Sequence, residues 1–300
     1  MEKTSVIDSF YKTTEEICKE LYIKALKDLP PDTRDALKGA HEAEMSETGK
    51  RVLATILENV QISDSKNRLI CQDTGIPIYF VKVGNRLNVD FIKLEETVRK
   101  GCQRATIEHP LRSSVVSPFK RQNNQDSSGY RIPSVHFDVL QDDDKVEILM
   151  IPKGSGSENM SFLKMLIPAD GVNGVKKYIL ETIATQVGAN PCPPYIVGIG
   201  IGGTSDLCMK LAKTAAVCRP LGSRNEDPEM AAFEEEMLTA INQLKSGAMG
   251  LGGEVTALDV HVEYAYTHIT QNPVALNIQC WPARRARAII TANGEYQLGY

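Results

Sequence analysis

Cys71-Gln72-Asp73-Thr74-Gly75 runs directly into Ile76-Pro77-Ile78-Tyr79-Phe80-Val81-Lys82-Val83. The second run is rich in β-branched and aromatic residues and reads as a strand. The first places a soft metal ligand, an amide, a carboxylate and a turn-forming glycine in five residues, after the charged segment Asp64 to Arg68. It reads as a loop at the mouth of a strand, where functional groups are displayed. Taken alone it admits a metal site, a nucleophilic thiol or a capped turn.

Toward the N-terminus, Ile17, Leu21, Ala25 and Leu29 recur at helical spacing until Pro30-Pro31 stops the run. Asp32 is placed to cap a second helix through Ala36, Leu37 and Ala40. Val52, Leu53, Ile56, Leu57 and Val60 mark one face of a third. This helical layer, residues 1–60, has the periodicity of a structural or oligomerising layer and holds no chemical motif. Beyond the strand, Phe91 to Ile107 reads as a helix, and the polar stretch 118–129 as an exposed loop of the kind that forms lids. Val135 to Leu140 and Val146 to Ile151 read as a strand pair around Asp142-Asp143-Asp144. After Gly154 to Asn159 the pattern is helical to about Val187. Strands are expected over 195–201, 255–264, 274–278 and 286–291, and helices over 206–217 and 229–245, with a flexible connector at Gly247 to Gly253. A helical N-terminal region followed by interleaved strands and helices predicts a mixed α/β (α+β) class. Without an internal repeat or clean linker, residues 1–300 read as a single domain of one or two lobes.

The chain is 42% hydrophobic and 24% charged, the balance of a globular protein. A net charge of −4 gives no electrostatic case for nucleic acid or an acidic membrane surface. An anionic substrate would need local Arg and Lys. Met1 to Ser5 lacks the apolar core of a signal peptide, and no apolar run is long enough to span a membrane. Seven cysteines without framework spacing argue against a disulfide scaffold and for a cytoplasmic location.

Gly198, Gly200 and Gly203 fit the dinucleotide fingerprint G-x-G-x-x-G after a strand and before a helix. The fingerprint also needs a second strand ending in Asp or Glu about 20 residues on. Here that region, Arg219 to Arg224, reads as a loop. Close strand–helix packing, with Thr204 or Ser205 as cap, and an anion held at the helix start remain as readings. Cys18, Cys102, Cys208 and Cys218 sit inside expected helices and read as small core hydrophobes. Cys71, Cys192 (Asn190-Pro191-Cys192-Pro193-Pro194) and Cys280 (Gln279-Cys280-Trp281-Pro282) sit instead at loop-like positions. Their spacing contains no C-x-x-C. Three thiolates on an iron–sulfur cluster would leave one iron open to a substrate oxygen.

The combination of Cys71-Gln72-Asp73-Thr74-Gly75, Pro110-Leu111-Arg112, Gly154-Ser155-Gly156-Ser157-Glu158-Asn159, Asn190-Pro191-Cys192-Pro193-Pro194, Gly200-Ile201-Gly202-Gly203-Thr204-Ser205-Asp206 and Gln279-Cys280-Trp281 resembles the iron–sulfur-dependent class I fumarases. It equally resembles the α subunit of L-tartrate dehydratase. The match runs from about residue 10 onward, with the motifs in the family's order. The resemblance implies a mixed α/β domain whose active site is completed by a separate domain or β subunit. The chain stops soon after the third cysteine, so it looks like an α subunit, in an α2β2 assembly or with paired α subunits. The resemblance further implies that Cys71, Cys192 and Cys280 ligate a [4Fe-4S] cluster with one iron that lacks a cysteine. It implies that Asp73 is the acid–base carboxylate, that Gln72, Arg112 and the Gly156 region hold substrate carboxylates, and that His268 lies near the substrate. Arg284, Arg285 and Arg287 are left between substrate binding and the partner surface. Met160 and Pro168-Ala169-Asp170-Gly171 look nearer the fumarase pattern. Fumarate and (S)-malate are therefore the first expected pair. L-tartrate or a methyl-substituted diacid comes second, and an electron-transfer or iron-sensing protein is the reading from another class.

Overall fold

The computed structural model describes residues 2–300, with side chains from Asp8 onward. In chain order the helices and strands begin with α1 (Glu2–Lys27), α2 (Pro31–Ala43), α3 (Glu47–Lys66), β1 (Ile76–Gly84), α4 (Phe91–Glu108), β2 (Ser134–Leu140) and β3 (Lys145–Lys153). Next come the one-turn α5 (Ser155–Glu158), β4 (Ser161–Leu166) and α6 (Gly171–Thr182), which runs into a π turn at Ile183–Val187. The chain continues through β5 (Tyr195–Gly202), α7 (Ser205–Cys218), α8 (Pro228–Asn242), β6 (Ala257–Ala265), β7 (Asn272–Gln279), β8 (Ala286–Thr291) and β9 (Tyr296–Gly299). The mixed α+β class read from the interleaving is the class observed. Among the described residues no helix is long and apolar enough to cross a membrane.

Two units are built from interleaved stretches of chain. The first takes residues 1–30, 63–154 and 284–300, and the second takes 31–62 and 155–283. The three N-terminal helices are divided accordingly: α1 belongs to the first unit, while α2 and most of α3 belong to the second.

In the first unit a five-stranded sheet runs in the order β2-β1-β3-β8-β9. Along β1, Tyr79, Val81 and Val83 lie on one face by the two-residue period of a strand. They pack with Val146, Ile148 and Met150 of β3 and Ala286, Ala288 and Ile290 of β8. Ile17, Leu21 and Ala25 of α1 and Leu94, Val98 and Cys102 of α4 close this core. The two helices cross tightly at Gly101, where a Cβ would lie 2.5 Å from the Glu15 carbonyl oxygen. β2 is parallel to β1 and β3 antiparallel to it, so β1 separates the two. The expected pairing of 135–140 with 146–151 is corrected: Asp142 to Asp144 connects strands that do not touch. The stretch 118–129 is not wholly exposed either, since Ser127 and Ser128 are buried beneath α4 contacts from Gln103 and Cys102.

The second unit has a four-stranded sheet in the order β4-β7-β5-β6. β4, which the sequence pattern did not reveal, is an edge strand with three exposed residues. Tyr195, Val197 and Ile199 of β5 face Ile179 and Ile183 of the α6 stretch and Phe233, Met237 and Ile241 of α8. On the opposite face of β5, Gly198 and Gly200 meet α7. A Cβ on Gly198 would lie 2.2 Å from the Ala212 carbonyl oxygen, and one on Gly200 would lie 2.1 Å from that of Cys208. Real side chains cannot occupy such space, so these glycines let α7 rest on the sheet backbone.

Candidate active site

In the first unit the Cys71–Gly75 loop is pinned from several directions. Gly75 has φ +71, and a Cβ there would lie 2.6 Å from the Pro152 carbonyl carbon, so the loop lies on the end of β3. Only glycine meets both demands. The Gly75 amide donates to Asp73 Oδ1 at 2.9 Å, which orients a half-buried carboxylate. The buried Thr74 hydroxyl donates to the Arg112 carbonyl. The Tyr22 hydroxyl donates to the Thr74 carbonyl at 3.1 Å. This unit therefore draws Cys71, Gln72, Asp73 and the Arg112 backbone together. The Gln72 and Arg112 side chains are exposed. Fully buried Lys153 ends β3 beside the loop.

Four segments of the second unit converge at one end of its sheet. Cys192 has φ +69 and lies between the cis bonds Asn190–Pro191 and Pro193–Pro194. The Trp281 amide donates to the Cys192 carbonyl at 3.4 Å, which brings Cys280 alongside. The Ser157 hydroxyl donates to Gln279 Oε1 at 3.4 Å, and a Cβ on Gly156 would sit 3.7 Å from the Pro191 Cβ. The connector after α8 closes the cluster, with the Met249 amide donating to the Pro193 carbonyl at 2.8 Å. The fully buried Glu44 fastens that connector by accepting from the Ser46 and Glu254 amides. Burial opposes its charge, but these bonds outweigh it and hold the carboxyl below the ordinary range.

None of the seven cysteines is in a disulfide, and they fall into distinct environments. Burial pushes the Cys18 and Cys102 thiols far up and the Cys208 thiol to about 11, which keeps all three protonated. Cys218 is half-buried at the last turn of α7. Cys71 and Cys280 are half-buried on loops, and Cys192 is exposed. Loop-borne, reachable thiols suit a cluster. Within each unit, among the described residues, no three His, Cys, Asp or Glu side chains converge on a metal site. Cys192 and Cys280 belong to the second unit and Cys71 to the first.

His268 sits on an exposed turn between β6 and β7. Its Nδ1 accepts from the Thr270 amide at 3.2 Å. Cys280 follows the other end of β7, about 25 Å away at the rise of an eight-residue strand. The second unit does not bring His268 to its cysteine pair.

A family description, "Fumarate hydratase (Fumerase)", matches residues 15–289. The chain belongs to this fumarate hydratase family. Membership makes it a hydro-lyase. It is 46% identical over 273 residues to the Methanocaldococcus jannaschii protein named "Putative L(+)-tartrate dehydratase subunit alpha", covering 90% of this chain and 95% of that one. It is 34% identical over 265 residues to the Escherichia coli K12 L(+)-tartrate dehydratase subunit alpha, covering 88% of this chain and 86% of that one. A Shigella sonnei protein of the same name matches at 34% over 265 residues.

In this fumarate hydratase family member the G-x-G-x-x-G stretch serves packing. The start of α7 already carries an anion of its own: Asp206 accepts from the Thr204 hydroxyl at 2.6 Å, and that bond with nearby amides holds its carboxyl low. A phosphate there would meet like charge. Tyr22, Ser157 and Glu44 were missed by sequence reasoning, because each binds a group remote in the chain, on Thr74, Gln279 and Glu254. Arg287 pairs with Glu147 across the β3–β8 ladder at 2.5 Å, and Arg284 and Arg285 are buried.

Proposed function

We propose that this chain is the α subunit of a two-subunit hydro-lyase that interconverts fumarate and (S)-malate, with Cys71, Cys192 and Cys280 holding a [4Fe-4S] cluster. The observation that supports this most is the convergence, in one unit, of Cys192, Cys280 and the Ser155–Asn159 part of the glycine–serine motif. The other unit joins Asp73, Gln72 and Arg112 to the remaining cysteine's loop. The donor set fits the group, because the three thiols are loop-borne and partly exposed while the strongly buried ones are held protonated. Bound there, a cluster with one iron lacking a cysteine supplies a Lewis acid for a substrate oxygen.

The chain's own residues do the rest. Asp73, oriented by the Gly75 amide, gives a proton to the departing hydroxyl oxygen, or takes one from water in the reverse direction. The Arg112 guanidinium and the Gln72 amide hold one substrate carboxylate, and the backbone around Gly156 holds the other. His268 stands apart from the cysteine pair, so in this proposal Asp73 handles the proton at the hydroxyl oxygen and the C3 proton passes to a base on the partner subunit. The partner completing the site is a β subunit, as the α-subunit names of the relatives suggest.

Those names also favour a second reading, L-tartrate dehydration to oxaloacetate. The two substrates share a C4-dicarboxylate frame and differ in a hydroxyl. Anaerobic iron and sulfide reconstitution of the chain with its partner, followed by assays with fumarate, (S)-malate and L-tartrate, tests both. The expected result is a brown protein that turns over one of them, with little or no turnover by the chain alone. A colourless reconstituted protein removes the cluster, and a brown but inactive pair removes the C4-dicarboxylate reading.

A further inference from the structure

Arg284 is only 2% exposed, and its guanidinium is spent on main-chain carbonyls. Nη1 donates to the Asp73 carbonyl at 2.5 Å, and Nη2 donates to the Pro152 carbonyl at 3.3 Å. Among the described residues no carboxylate pairs with it. Burying a guanidinium without a counter-charge is costly, and arginine cannot shed its proton to escape that cost. A merely space-filling role at this position would be met more cheaply by an apolar side chain. The planar fork does what an apolar residue cannot: it grips the Asp73 peptide and the end of β3 at once. It also sits on a rigid mount, since Ala286, two residues on, is in register with Met150 of β3. The Tyr22 hydroxyl holds the next carbonyl of the loop, that of Thr74.

We propose that Arg284 is a positioning residue for Asp73: it hangs the Cys71–Gly75 loop from the end of β3 and thereby sets where the Asp73 carboxylate points. The assignment rests on the reading of Asp73 as the proton-transfer group. It takes Arg284 away from direct substrate binding and from the partner surface.

Hydrogen–deuterium exchange on the full chain, read peptide by peptide, tests the brace without cluster or turnover. Arg284→Gln is expected to speed exchange over residues 72–76 by about tenfold or more, the loss of a charge-assisted hydrogen bond, while β6 in the second unit is unchanged. Arg284→Lys keeps the charge but not the fork, and is expected to fall between. In the assembled enzyme Arg284→Gln is expected to lower kcat about 10²-fold with KM within about twofold, the signature of a misplaced catalytic group. Arg284→Lys should recover part of that loss. Exchange over 72–76 equal to wild type in Arg284→Gln overturns the proposal. Should Arg284→Gln not fold, Arg284→Lys decides: a loosened loop with an unchanged β6 supports the brace, and a wild-type loop overturns it. A wild-type pair without hydro-lyase activity defeats the functional reading instead, and the exchange result still decides whether Arg284 holds the loop.

Discussion

Asp73 and Glu44 are both carboxylates gripped by backbone amides, but they are built for different work. Asp73 accepts the Gly75 amide and stays half-buried on a loop, whereas Glu44 is wholly enclosed and accepts several amides. Asp73→Asn keeps an oxygen for the Gly75 amide and removes only the proton chemistry. It is expected to lower kcat by about 10²–10⁴ with the visible absorption of the reconstituted protein unchanged. A rate within a few fold of wild type would end the assignment. For Glu44 the folded carboxyl titrates below its unfolded value, so its stabilisation is complete above about pH 4.3 and is lost as pH falls through the lower folded value. Glu44→Gln turns an acceptor into a partial donor facing amides. It is expected to lose about 1–3 kcal/mol at pH 7 in urea unfolding. It should also flatten the acid limb of stability, and an unchanged acid limb would refute the role. At this scale the sequence distinguished the loop cysteines from the core ones, because proline, tryptophan and aspartate neighbours are local signals. Glu44 and Arg284 left no sufficient local signal, since the Glu254 amide and the Asp73 carbonyl that they bind lie 210 and 211 positions away. His268 is the opposite case: twelve residues before Cys280 in sequence, it lies at the other end of β7 from it.

Elements were legible where periodicity is strong, as in α1, α4, α7 and α8, and in β1 and β5. Pairing was not. Val135 to Leu140 and Val146 to Ile151 are neighbours in sequence joined by a turn-like Asp run, yet β1 lies between them. Strand partners are set by which faces the helices cover, and no local pattern records that. β4 was missed because an exposed edge strand has weak alternation. The glycines of β5 show how one motif serves two physical ends. In a dinucleotide site they admit a phosphate; here they admit α7. Gly200→Ala places a methyl 2.1 Å from a helix carbonyl, and relief requires α7 to lift. The expected cost is on the order of 1–3 kcal/mol or more, read from urea midpoints, with insolubility the extreme case. An alanine variant as stable as wild type would mean that α7 is not seated as described. Titration of the wild-type chain with NADH is expected to show no saturable binding.

At the scale of the molecule, the interleaving of the two units was the least legible property, because each unit is assembled from separate stretches and no linker composition marks the crossings. The stretch after Ala283 returns to the first unit and supplies β8, β9 and the buried Ala286, Ala288 and Ile290. Removing residues 284–300 is expected to abolish exchange protection over β1 and β3 while β5 to β7 keep theirs. Equal protection in both units of the shortened chain would show that β8 and β9 are dispensable. The same connectivity has a consequence in time. During synthesis the Cys71 loop emerges early, yet its Arg284 brace and the closing strands of its sheet follow only after the whole 155–283 stretch, on the order of ten seconds of elongation later. One cysteine of the proposed site thus waits on an unfinished fold while the other two are still being made. On the proposed assignment, a chain that stalls before residue 284 carries Cys71 on a loop without its brace.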